Sequence, residues 1–273
     1  MFYDLHTHSV YSDGSWTPRE LVEAAAREDL VIALTDHNSV SGLREFMTAA
    51  ETLGVEAVPG IEFSSDYRGT DTHVVALFVR EEYYDAIRSF VAEGDRLKQQ
   101  SNRDLVARLQ EAGYAIDYET IVAQTPDGRV NRANIAGELV KLGYVTTVKE
   151  AFSQLLGEKQ GYYVPPKRRS TLDTIAFIRS IGALPILAHP LLTFDPDTLL
   201  ELLPLAVAQG LMGMETRYST YDAATTELAQ SIAKQFGLLE SGGSDFHGAV
   251  KPQITLGHAG ISQETYEKLK VAL

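Results

Sequence analysis

The chain has 273 residues, 44% hydrophobic and 22% charged, which fits one large α/β domain, alone or carrying an insert. It has no cysteine, so disulfides, thiolate nucleophiles and thiolate-held metals are excluded, and any bound metal must use imidazole and carboxylate. A formal net charge of −13 argues against sequence-independent binding of duplex nucleic acid, which needs a broad basic face.

Residues 2–8 read as a first strand. Thr17 then offers an N-cap, Pro18 fits the first helical turn and Glu20 completes a capping box. The apolar run 31–35 suits a parallel strand buried on both faces. Leu43, Phe46, Met47, Ala50 and Leu53 form one helical stripe, closed by Gly54. A strand over 57–62 leads into a hairpin whose arms, 62–67 and 72–79, flank the turn-like Arg68-Gly69-Thr70-Asp71. From about 82 to 157 the pattern is helical, and Gly161-Tyr162-Tyr163-Val164-Pro165-Pro166 punctuates its end. Short buried strands follow at 184–188, 211–216 and 238–243, separated by helices near 171–181, 197–209 and 223–236. The whole predicts an α/β barrel interrupted by a helical insert.

Five of the seven histidines fall at or just past predicted strand ends: His6, His8, His37, His189 and His247. Catalytic residues of barrel enzymes gather at the C-terminal ends of strands. His6 and His8, two apart on a strand, share a face and can reach one ion; the alternative is two polar residues on an exposed face. Asp13, before Gly14, reads by position more readily as a turn residue. Asp36 and His37 close an apolar strand, where ionisable groups demand a partner. Glu62 ends the third strand, unless it is a solvated loop acid. His73 begins its strand and by position reads as a surface hairpin residue. It returns to the same rim if that strand runs antiparallel to the Glu62 arm. Asp245 and His247 repeat the two-apart spacing of His6 and His8, as expected where a closed barrel makes first and last strands neighbours. The nine side chains exceed what one tetrahedral ion needs and suit two or three ions with open positions.

His6-x-His8, Ser12-Asp13-Gly14, Thr35-Asp36-His37, Gly60-Ile61-Glu62, Thr72-His73, Ala188-His189-Pro190 and Ser244-Asp245-Phe246-His247 together resemble the polymerase-and-histidinol-phosphatase (PHP) family, in the family's order and over nearly the whole chain. The resemblance implies a distorted (β/α)7 barrel. Its first part is placed at 1–99, a helical insertion or lid domain at 100–166 and its second part at 167–273. It implies a trinuclear site: His6, His8, Glu62 and Asp245 on one ion; Glu62, His73 and His189 on a second; Asp13, His37 and His247 on a third. Asp13, His37, Glu62 and Asp245 are the expected catalytic set. The insert resembles that of members acting on 3′,5′-bisphosphonucleosides or trimming short oligonucleotides from the 5′ end. Val130-Asn131-Arg132-Ala133-Asn134 matches the segment where that group sets an Arg and a His against phosphate; Arg132 is kept and Asn134 replaces the His. Leu191-Leu192 also departs from the glycine and basic residue common in relatives.

The expected reaction is hydrolysis of a small phosphate monoester, a nucleotide by the resemblance, with a metal-bridging hydroxide attacking phosphorus in line. Three divalent ions would outweigh Asp13, Glu62 and Asp245, making the pocket cationic inside an acidic protein. Imidazole and carboxylate suit Mn, Fe and Zn alike. Arg132, Asn134, Lys167 and Arg168 are candidate phosphate contacts, with Lys167-Arg168-Arg169 reading alternatively as a solvated loop. Asp36 is a candidate partner orienting a ligand histidine, and His258 a surface or outer residue. Rival readings are a histidinol-phosphate phosphatase of the same family, an amidohydrolase and a metal-binding module without catalysis. Without an 18-residue apolar run or signal-peptide pattern, the expected location is cytoplasmic, with no membrane partner.

Overall fold

The computed structural model describes residues 2–125, 130–166 and 169–273. The chain opens with β1 (Phe2–Asp4), α1 (Pro18–Glu28), β2 (Leu30–Leu34), α2 (Leu43–Leu53), β3 (Ala57–Tyr67) and β4 (Thr70–Leu77). A helical stretch follows: α3 (Tyr84–Glu111), α4 (Tyr118–Gln124), α5 (Arg132–Lys141) and α6 (Val148–Ala151). Strand and helix then alternate through α7 (Thr171–Ser180), β5 (Leu184–Leu187), α8 (Pro190–Thr193), α9 (Pro196–Ala208), β6 (Gly213–Tyr218), α10 (Ala223–Gln235), β7 (Leu239–Gly243) and α11 (Gln263–Val271).

Local chemistry sets these bounds. Thr17 accepts from the Glu20 amide while Glu20 reaches back to the Thr17 amide, the capping box read from the sequence. All five residues of β2 are buried, as a strand covered on both faces requires. At the hairpin, Arg68 and Gly69 both take positive φ (53° and 87°), giving a two-residue turn between the paired Tyr67 and Thr70. The turn is thus tighter than the four-residue one expected. β3 is one continuous strand: it pairs with β2 as far as Pro59 and with β4 from Gly60 onward.

The seven strands lie in sequential order in one sheet. Neighbours are parallel except at β4, which is antiparallel to both β3 and β5. Beyond Asp4 the chain reaches across to the far end of the sheet. Leu5 N donates to Gly242 O at 3.2 Å, Asp245 N to His6 O at 2.9 Å and His8 N to Phe246 O at 2.9 Å. The result is a nearly closed, distorted (β/α)7 barrel. The predicted first strand is consequently shorter than expected, because residues 5–8 serve the closure rather than the pairing with β2.

One residue in two from successive strands meets inside: Tyr3 and Leu5, Val31 and Ala33, Val58, Val75 and Leu77, Leu184 and Ile186. Tyr266 and Leu269 of α11, an element outside those predicted from the sequence, seal this core. The Tyr266 ring stacks on Tyr3 at 4.4 Å, and its hydroxyl donates to Glu56. Tyr3 lies in the short β1 and Glu56 just precedes β3, so α11 packs toward the N-terminal end of these strands and leaves the other rim for chemistry.

Met1–Arg88 with Arg169–Leu273 forms one compact unit, and Ser89–Arg168 forms another. The second has its own apolar core, including Leu105, Leu109, Ile135, Leu139 and Leu156. Among the described residues no helix is long and apolar enough to cross a membrane.

Candidate metal centre

The predicted site residues gather at one rim of the barrel, which is the C-terminal one for the parallel strands. His6 and His8 follow β1, His189 follows β5, and Asp245 and His247 follow β7. His37, just past β2, bridges in parallel to Glu62. Glu62 lies within β3 rather than at its end, at the point where that strand has left β2 for β4. Because β4 runs backwards, His73 near its start returns to this rim and pairs with Ser64, two residues beyond Glu62 on the same face. The antiparallel condition attached to His73 is therefore met.

Glu62 is the hub. One carboxylate oxygen, Oε2, lies 3.2 Å from His6 Nε2, 3.3 Å from His8 Nε2 and 3.0 Å from His37 Nδ1. The other, Oε1, lies 2.9 Å from His73 Nδ1 and 3.1 Å from His189 Nε2. Asp245 Oδ1 is 3.1 Å from His8 Nε2 and 3.6 Å from His6 Nε2. Asp13 stands 3.3 Å from His247 Nε2 and 3.7 Å from both His8 Nδ1 and His37 Nε2. All nine predicted side chains converge. Among the described residues, three sets bring their donor atoms within 4.8 Å of one another: His8, Asp13, His37 and His247; His6, His8 and Asp245; His37, Glu62 and His73.

These residues fit bound cations. Among the described residues, His37 Nδ1, His73 Nδ1 and Glu62 Oε2 are buried without a hydrogen-bond partner, although imidazole and carboxylate atoms stand at hydrogen-bond distance. An orphaned buried polar atom costs about 1–3 kcal/mol, more if charged. Lone pairs that face a common point rather than each other are relieved by a cation at that point.

The electrostatics agree. Burial opposes charge on His6, yet Glu215 and Glu62 raise its pKa well above the ordinary value. His8 rises to about 9 and His73 to about 10, burial again being overcome by carboxylates, Asp245 and Glu62 for the first, Glu62 and Asp71 for the second. His37 falls to about 3, chiefly through burial. Burial raises Glu62, Asp13 and Asp245, but surrounding imidazoles hold all three below the usual carboxylate range. Protons alone thus charge the cluster unevenly; divalent ions would neutralise it at every carboxylate.

Surrounding groups fix the donors. The 9–14 loop folds through Ser12 N and Gly14 N, which both donate to Ser9 O, and a side chain at Gly14 would run into the His8 carbonyl. The Asp13 turn and the Asp13 site are therefore one feature. Asp36 accepts from Ser9 N, Ser9 Oγ and Ser12 Oγ at 2.6–2.8 Å, and Ser12 Oγ stands 3.4 Å from His8 Nδ1, so its link to a histidine runs through Ser12. Three participants were not singled out in the sequence. Tyr218 and Lys251 both donate to Asp245 Oδ2, at 2.8 and 2.7 Å, leaving Oδ1 to the cluster. Buried Glu215 accepts from His189 N and meets His6 Nδ1, each at 2.7 Å. A carboxylate inside the buried 211–216 strand is a legible signal; the contacts of Tyr218 and Lys251 have none.

In the helical unit, the Arg132 guanidinium lies over the Tyr163 ring at 4.0 Å, a cation–π contact. Asn134 caps α5 reciprocally with Asn131, at 2.8 and 2.9 Å. Lys167 and Arg168 lie outside the described residues. His258 is exposed and takes no part in the cluster.

The PHP domain model matches residues 4–164, more than half of the chain. A 5′-3′ exoribonuclease from Haemophilus influenzae is 31% identical, over 90% of this chain and 89% of its own length. A 3′,5′-nucleoside bisphosphate phosphatase from Chromobacterium violaceum is 31% identical, over 93% and 90%. A solved structure from Bifidobacterium adolescentis, described as a metal-dependent phosphoesterase, superposes with a TM-score of 0.81 at 28% identity, covering 98% of this chain and 95% of that one.

Proposed function

The chain belongs to the PHP family of phosphoesterases, and from that premise we propose that it hydrolyses a small phosphate monoester, a 3′,5′-bisphosphonucleoside or the 5′ end of a short oligonucleotide. Two or three divalent ions, Mn, Fe or Zn, would be held by His6, His8, Asp13, His37, Glu62, His73, His189, Asp245 and His247. The observation that carries this reading is Glu62, whose two oxygens face two separate sets of imidazole nitrogens while three buried donor atoms lack hydrogen bonds. Ions bound there would supply Lewis acidity, lowering the pKa of water and offsetting charge on phosphoryl oxygens. The chain's own residues do the rest. Tyr218 and Lys251 hold one Asp245 oxygen and so turn the other inward. Asp13 is the most solvent-open carboxylate of the cluster, 53% exposed, and so is placed to meet a reactant arriving from the rim. His37 is also part-open, and the two form the substrate-facing part of the catalytic set. Arg132, already oriented by Tyr163, would grip a phosphate with paired donors. Lys167 and Arg168, outside the described residues, stay candidate phosphate contacts by their chemistry alone. The C. violaceum relative's name supports the bisphosphonucleoside, and the H. influenzae relative's the oligonucleotide.

The test is phosphate release from mono- and bisphosphonucleosides, a 5′-phosphorylated oligonucleotide and histidinol phosphate, after Mn²⁺ reconstitution. Turnover of a bisphosphonucleoside or the oligonucleotide is expected. Release from histidinol phosphate alone would replace the substrate class, and cleavage of an amide or lactone without phosphate release would overturn the reaction.

A further inference from the structure

Glu215 is a carboxylate on β6, 1% exposed and, among the described residues, without a lysine or arginine partner. Buried acids are ordinarily paired with a cation. Its two oxygens instead serve two strands: Oε1 lies 2.7 Å from His6 Nδ1, and Oε2 accepts the His189 backbone N–H at 2.7 Å. The register between β6 and β7 slips directly after it, with Glu215 opposite Ser241 and Arg217 opposite Gly242, so Thr216 is an extra residue. Such bulges re-aim side chains beside functional sites. His189 adopts φ 31°, a left-handed backbone that a non-glycine residue holds only under constraint.

We infer that Glu215 is a positioning residue: it keeps a proton on His6 Nδ1, so that Nε2 turns its lone pair toward the cluster, and it pins His189 by its main chain. The inference rests on the metal-dependent reading above. A carboxylate accepts at both oxygens, which suits two N–H donors. An amide cannot. With its oxygen on His189 N–H, its NH2 faces His6 Nδ1 and drives the proton to Nε2; turned round, the NH2 opposes the His189 amide. Glu215→Gln keeps the shape and loses the function, whereas Glu215→Asp loses a methylene and keeps an acceptor for each donor.

The experiment is calorimetric Zn²⁺ titration of the chelator-stripped full chain, wild type against both variants, with ¹⁵N spectra of the imidazoles in the Zn²⁺-loaded protein. Wild type is expected to show a downfield, slowly exchanging His6 Nδ1–H, absent in Glu215→Gln. Zn²⁺ affinity should fall about 10–100-fold in Glu215→Gln, and less in Glu215→Asp. A merely space-filling role predicts the reverse order, because Gln matches Glu in volume. Affinity in Glu215→Gln within twofold of wild type, Gln retaining more affinity than Asp, or His6 protonated at Nε2 would each overturn the inference alone. If Glu215→Gln does not fold, the Asp variant and the wild-type spectrum decide. A wild-type chain that takes up no Zn²⁺ would instead overturn the metal reading itself.

Discussion

The barrel rim and the helical unit bury different things. At the rim, His6, His8 and Glu62 are fully buried, and three donor atoms stand without hydrogen bonds. In the helical unit the buried side chains are mainly apolar, and a polar exception such as Asn102 is satisfied locally, donating to Val130 O at 2.8 Å. Rim residues are thus incomplete without a ligand, and each change there disturbs several neighbours through shared contacts. Helical-unit residues are complete in themselves, so changes there act through packing or through an exposed contact. On the proposed reading, the rim would carry the chemistry and the helical unit would be free to vary recognition.

The sharpest break would come at Asp13. Asp13→Ala removes a carboxylate facing three imidazoles, and turnover should fall about a thousandfold or more, with the melting temperature little changed because the side chain is half exposed. Turnover within tenfold of wild type would remove Asp13 from the catalytic set. Next in size, Leu139→Ala empties a fully buried site in the helical core and should destabilise that unit by about 2–5 kcal/mol. Denaturant unfolding followed from each unit would show this, with the number of bound ions unchanged if the regions are as independent as their cores suggest. The smallest effect should come from Arg132→Ala. Losing a charged phosphate donor is worth roughly 1.5–3 kcal/mol, read as KM rising by about tenfold to a hundredfold with kcat nearly constant. A fall in kcat at unchanged KM would move Arg132 from recognition to chemistry.

Much of this was legible because it is local. Strand-end histidines such as His6, His8 and His189 announce themselves by ionisable side chains against apolar runs, and the Thr17 capping box follows from four adjacent residues. His73 was not readable by position, since its place depends on the direction of β4, which only pairing with β3 and β5 decides. Asp36 looked like a partner for a histidine; it accepts from Ser9 and Ser12, and Ser12 Oγ in turn stands 3.4 Å from His8 Nδ1, contacts set by how the loop returns over β2. Lys251 and Tyr218 were invisible because their meeting at Asp245 spans separate elements. The C-terminal helix escaped for a similar reason: Tyr266 stacks on Tyr3 of β1 and donates to Glu56, both far from it along the chain.

One measurement bears on all of this: the metal content and phosphate release of the same sample before and after exhaustive chelation, and again after adding Mn²⁺ back. The account predicts more than one ion per chain at the start, hydrolysis lost as the ions leave, and hydrolysis restored with them. Undiminished hydrolysis from a chain stripped of metal would contradict it.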